Sequence, residues 1–158
     1  MPLLRLLLAA LAGGAAFTFG YAEHRELLTA AGATVVIAPT DIYGGAELTR
    51  LLARESVTHA FVTPAALATM DSAALPELTT VIVGGDACSD DLVTTWSAER
   101  AMFNAYGPTE ATVAATITAP MAAGAPVTIG EPIRGARLSV LDRRLNPVPI
   151  GVPGELYL

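Results

Sequence analysis

The chain has 158 residues, of which 53% are hydrophobic and 15% charged. That balance supports one packed domain and excludes a disordered tail. Nine basic against fifteen acidic residues give a net charge of −6, which leaves no basic surface for a nucleic-acid backbone or an anionic membrane. The single cysteine, Cys88, excludes an internal disulfide and suits a reducing, cytoplasmic setting.

Leu3 to Phe19 is nearly all apolar, broken only by Arg5, Gly13, Gly14 and Thr18. One Arg before a Leu/Ala run has the form of a secretory leader, and the same run also suits a buried helix. The cytosolic character of the remainder favours the buried helix. Residues 1–25 are therefore set apart as an apolar segment of unclear origin, with 26–158 as the domain proper.

From Thr34 the pattern alternates between short apolar runs and amphipathic stretches. Thr34 to Ala38 is a β-branched run stopped by Pro39 and reads as a buried strand. Ala46 to Glu55 puts Leu48, Leu51 and Leu52 at helical spacing, with Glu47, Arg50 and Arg54 on the other side. Val57 to Val62 is the next strand. Thr63-Pro64 then opens a helix, Thr63 as its cap and Pro64 in its first turn. Thr79 to Val83 is a third strand, closed by Gly84-Gly85. Ser89 caps a helix running to Glu99, and Met102 to Ala105 is a fourth strand.

Alternating strands and helices predict an α/β fold, a parallel sheet flanked by helices. Such sheets bind ligands in the loops at the carboxyl ends of their strands. Those loops are Thr63-Pro64, Gly84-Gly85-Asp86 and the turn after Ala105. The last third differs. Ala119 to Pro126 is an Ala/Gly/Pro connector. Arg137 to Asp142 and Glu155 to Leu158 read as strands joined through Asn146-Pro147 and Gly151 to Gly154. They predict a smaller antiparallel β region.

The stretch Phe103-Asn104-Ala105-Tyr106-Gly107-Pro108-Thr109-Glu110-Ala111-Thr112 carries the chemistry. Pro108 fixes the turn, and Gly107 admits a ligand close to the backbone. Tyr106 offers a flat ring to a base, Thr109 a hydroxyl to a phosphate, and Glu110 a carboxylate to magnesium. Together they suit a nucleoside triphosphate. His24 and His59 stand alone. Cys88 reads as a small buried hydrophobe, and Asp90-Asp91 as charges that favour a helix N-terminus.

Asn104 to Thr112 resembles the nucleotide-binding motif of adenylate-forming enzymes, and within them the adenylation domains of nonribosomal peptide synthetases. Val57-Thr-His-Ala-Phe-Val-Thr-Pro64, Val81-Ile-Val-Gly-Gly-Asp-Ala-Cys88, Ile129-Gly-Glu-Pro-Ile133 and Gly151-Val-Pro-Gly-Glu-Leu156 resemble further stretches of that family in the same order. The resemblance spans Thr34 to Leu158 and implies part of the large N-terminal domain of such an enzyme. It implies condensation of an amino acid with MgATP to an aminoacyl-adenylate and pyrophosphate. Transfer to the pantetheine thiol of a carrier domain would follow, with condensation domains as further partners. Tyr106 would stack on adenine against Gly84, Gly85 and Ala105. Asp86, Asn104 and Gly107 would complete the nucleotide site. Thr109 would touch phosphate and Glu110 would hold magnesium. Phe61, Ile82, Gly84, Ala105, Val113 and Ala114 would line a side-chain pocket for a neutral or apolar amino acid.

The sequence departs from that family in two respects. It has no lysine and no Gly/Ser/Thr-rich phosphate loop, and no aspartate before Asp41 to receive a substrate amino group. These departures imply a fragment of a larger synthetase that is inactive alone. Two alternatives stay open at this point: a fragment of an acyl-CoA or fatty-acyl-AMP ligase, and a non-catalytic remnant or interaction module.

Overall fold

The computed structural model describes residues 5–8, 34–39, 41–108, 110 and 114–158. The elements in chain order are β1 (Arg5–Leu8), β2 (Thr34–Ile37), α1 (Gly45–Arg54), β3 (His59–Val62), α2 (Pro64–Ala68), a 3-10 turn (Ser72–Ala74), β4 (Thr80–Gly84), α3 (Asp90–Trp96), β5 (Ala101–Tyr106), β6 (Thr116–Ile117), β7 (Glu131–Pro132), β8 (Ser139–Leu141) and β9 (Glu155–Tyr157). The first seven strands in spatial order are β2-β1-β3-β4-β5-β6-β7. β2 to β5 are parallel, and β6 and β7 add antiparallel to the far edge. β8 and β9 form the separate antiparallel pair that the sequence predicts.

Each helix has a local cause. Thr63 accepts a hydrogen bond from Ala66 N–H at 3.1 Å, with Pro64 just inside α2. Ser89 accepts from Leu92 N–H at 3.3 Å, and Asp90 and Asp91 sit in the first turn of α3. α1 has no cap of its own at Gly44. Its first N–H, on Gly45, donates instead to the Thr69 hydroxyl at 2.7 Å, so the end of α2 caps the start of α1. The α3 helix ends at Trp96, short of Glu99, because the chain must turn back for Ala101 N–H to reach the Thr79 carbonyl at 2.9 Å.

One face of the sheet makes the core. Ala60, Val62, Val81, Val83 and Met102 pack against Leu48 and Leu52 of α1, Leu67 of α2, and Val93 and Trp96 of α3. Burying each of the larger side chains contributes about 1.5–3 kcal/mol. The other face carries Phe61, Ile82 and Phe103 in register across β3, β4 and β5, all partly buried.

The expected N-terminal helix is corrected. Arg5 to Leu8 is a strand, inserted between β2 and β3 with Leu7 opposite Val36 and Ala60. An inner strand of a parallel sheet is buried on both faces and reads as an unbroken apolar run, so periodicity cannot tell it from a buried helix. The rest of the Leu3 to Phe19 run lies outside the described residues. No helix among the described residues is long and apolar enough to cross a membrane.

Candidate functional site

The carboxyl ends of β3, β4 and β5 lie side by side. Phe61 pairs with Ile82, and Gly84 pairs with Ala105. Strand alternation puts Phe61, Ile82, Gly84 and Ala105 on one face, away from the helices. A methyl group on Gly84 would lie 2.8 Å from the Ala105 carbonyl oxygen and 3.1 Å from Cζ of Phe61. Glycine is therefore what lets the aromatic ring and the neighbouring strand close over this point.

Gly85 follows with φ 87°, a left-handed conformation that other residues adopt only with strain. The exposed Asp86 then folds over its own backbone, accepting from Ala87 N–H at 2.7 Å. Burial pushes the Cys88 thiol up from its usual pKa, and the Asp90 carboxylate adds to the effect. Cys88 accordingly stays a thiol at neutral pH and is no nucleophile. Burial lowers the pKa of His59, whose Nδ1 lies 3.0 Å from the Thr58 hydroxyl at the opposite end of β3 from these loops.

β5 delivers the turn. Tyr106 is 39% exposed and, by alternation, leaves the sheet on the face opposite Ala105. Its carbonyl accepts from Ala115 N–H at 2.8 Å. A methyl on Gly107 would meet Ala115 N at 2.7 Å and Ala114 Cα at 2.8 Å. Ala114 and Ala115 thus pack directly on Gly107, with Ala114 partly buried. Glu110 is exposed on this segment. Thr109 and Val113 lie outside the described residues.

Asn104 is 7% exposed and tied down on several sides. Its N–H donates to the Thr118 hydroxyl at 2.9 Å, and its carboxamide Nδ2 donates to the Thr128 carbonyl at 2.8 Å. Neither partner is legible in the sequence, since both contacts depend on how 114–133 folds back along β5. Gly130 gives a faint signal: at φ 80° it seats against the Ile117 backbone, where no side chain fits.

A magnesium ion bound with a nucleotide takes one or two protein carboxylates and fills its shell with water and phosphate oxygens. Glu110, a single exposed carboxylate, is a donor set of that kind. No group of three or more His, Cys, Asp and Glu residues is assembled among the described residues.

The AMP-binding enzyme family matches residues 14–158. The chain is 51% identical over 131 residues to the probable nonribosomal peptide synthetase CymA of Salinispora arenicola, covering 81% of this chain and 2% of that protein. It is 47% identical over 135 residues to the novobiocin biosynthesis protein H of Streptomyces niveus, covering 84% of this chain and 22% of that protein. It also resembles a solved four-domain nonribosomal peptide synthetase bound to AMP and glycine. That likeness has a TM-score of 0.78 at 28% identity and covers 98% of this chain and 12% of that chain. The sequence thus spans a small part of each of these relatives.

Proposed function

Because the chain belongs to the AMP-binding enzyme family, a family of adenylate-forming ligases, we propose that it is part of an amino-acid-activating adenylation domain. The loops at the carboxyl ends of β3, β4 and β5 hold the adenylate in this reading. Tyr106 stacks on adenine, and Gly84, Gly85 and Ala105 form the backbone wall beside it. Asp86, Asn104 and Gly107 border the same nucleotide. Thr109 binds phosphate oxygen, and Glu110 holds magnesium. Phe61, Ile82, Gly84, Ala105, Val113 and Ala114 line the pocket for a neutral or apolar amino-acid side chain. The observation that supports the reading is the close junction of Phe61, Gly84 and Ala105 at the carboxyl ends of adjacent parallel strands, where such sheets bind ligands and where only glycine fits between the Phe61 ring and the Ala105 carbonyl.

The chemistry requires position and charge more than acid–base groups. An amino-acid carboxylate attacks the α-phosphorus of ATP, forming a mixed anhydride as pyrophosphate leaves. A backbone wall and an aromatic platform hold the nucleotide so that the attack is effectively intramolecular. Magnesium, when bound, neutralises charge on the phosphates. The pantetheine thiol of a carrier domain then attacks the acyl carbon, forming a thioester as the anhydride breaks and AMP leaves, alongside condensation domains of the same cytoplasmic synthetase.

Calorimetric titration of the 158-residue chain with ATP, with and without magnesium, tests the site. Magnesium-dependent binding that disappears in Glu110→Ala supports the reading. Binding that ignores both magnesium and Glu110 overturns the role of Glu110, and no binding at all overturns the nucleotide site. The chain has no lysine to meet the phosphates, so turnover by it alone is not expected. Substantial ATP–pyrophosphate exchange with any amino acid would refute that.

A further inference from the structure

We infer that Thr118 is a positioning residue for the nucleotide-binding turn, acting through Asn104. This rests on the adenylate reading of that turn. The ladder between β5 and β6 consists of Ala105 opposite Ile117 and Tyr106 opposite Thr116. One step back, Asn104 and Thr118 meet without completing it. Thr118 N–H donates to the Asn104 carbonyl at 2.9 Å, but the return bond from Asn104 N–H goes to the Thr118 hydroxyl. The hydroxyl replaces a backbone acceptor because the chain turns away after Ile117. Asn104 is 7% exposed, so its N–H has almost no access to water in exchange.

The carboxamide is fixed as well. The Thr128 carbonyl can only accept, so Nδ2 must face it and Oδ1 must lie at the other end of the amide plane. Asn104 is thereby held through its N–H and its carbonyl by Thr118, just past β6, and through its side chain by Thr128 in the connection to β7. Tyr106 lies two residues further along the same strand and starts the turn. The Thr118 hydroxyl sets the strand end from which Tyr106 and Gly107 project, without itself being placed in the nucleotide site.

Three versions of the 158-residue chain decide the matter: wild type, Thr118→Val, which keeps the shape and loses the acceptor, and Thr118→Ser, which keeps the acceptor. MgATP is titrated into each at a temperature where circular dichroism finds all three folded. The Val variant should bind about tenfold more weakly, since small displacements at a positioned site are costly. The Ser variant should stay within about twofold of wild type. Equal binding by wild type and Val, or equal loss in Val and Ser, overturns the positioning role and leaves the nucleotide site standing. No binding by wild type overturns both. Should the Val variant not fold, hydrogen exchange on the wild type decides. Asn104 N–H must exchange far more slowly than an open turn amide, and fast exchange overturns the inference.

Discussion

The side chain that Gly84 lacks would press on Phe61, 3.1 Å from its Cζ, and on the Ala105 carbonyl oxygen at 2.8 Å. The two contacts differ in kind. A ring can tilt, whereas a carbonyl in a sheet cannot yield without moving β5. Gly84→Ala should therefore cost about 1–3 kcal/mol, as overpacking of a tight site does. It should also weaken MgATP binding more than stability, because the displaced strand carries Tyr106. Urea unfolding beside a binding titration tests both, and an unchanged midpoint would mean that the strands part freely here.

A second junction joins two helices. Thr69 accepts from Gly45 N–H at 2.7 Å and donates to the Ala66 carbonyl at 2.7 Å. One hydroxyl closes α2 and caps α1. Thr69→Val keeps the shape and loses both bonds, so it should destabilise the chain by about 0.5–2 kcal/mol, the range for a lost cap. Thr69→Ser should recover most of that. A denaturant melt in which Val and Ser variants coincide would remove the hydroxyl from the account.

Asp142 gives the C-terminal hairpin a pH dependence. Its Oδ1 accepts from Asn146 N–H at 2.9 Å and Arg144 N–H at 2.8 Å, and Oδ2 faces Asn146 Nδ2 at 3.4 Å. The Asn146 amide is the largest cause holding this carboxyl below its usual pKa; desolvation, the next largest, opposes it, and the Arg144 amide and the Asn146 side chain add to the lowering. Bonds to the charged form stabilise the folded loop above the unfolded carboxylate pKa of about 3.9. That contribution disappears as pH falls through the lower folded value. Amide resonances of Arg144 and Asn146 should titrate together below about pH 4 in wild type. They should be flat in Asp142→Asn, and a flat wild-type profile contradicts the bonding.

The helix caps and the strand-end loops were legible because they rest on local chemistry. Thr63-Pro64 and Ser89-Asp90-Asp91 each state a helix start within three residues, and Gly84-Gly85 marks a strand end by composition. What stayed hidden depends on register. Leu6 to Leu8 form a strand only because β2 and β3 lie on either side of them. The two threonines that hold Asn104 lie 14 and 24 residues away from it. Thr69 as the cap of α1 is hidden for the same reason, since Gly44 offers no side chain and the acceptor is borrowed from the end of another helix.

Arg100 follows no sequence signal at all, since arginine is rarely buried. Its side chain is 4% exposed, and its guanidinium carbon lies 4.9 Å from the centre of the Trp96 ring. Nη2 donates to the Ser72 carbonyl at 3.2 Å, while Nε and Nη1 are buried with no partner among the described residues. Glu99 stands 3.9 Å off but is 81% exposed, a poor counterion. Burial lowers the Arg100 pKa, and Glu99 only partly opposes this. The desolvation of two unpartnered guanidinium nitrogens thus outweighs one weak hydrogen bond and one ring contact. Arg100→Met keeps the packing on Trp96 and removes the buried charge. It should be neutral or stabilise the chain by about 1–2 kcal/mol, as replacing buried ionic groups with apolar ones often does. Arg100→Ala removes the packing too and should destabilise it. Thermal melts of both variants test this, and a lower midpoint for the Met variant would show that the guanidinium stabilises the fold.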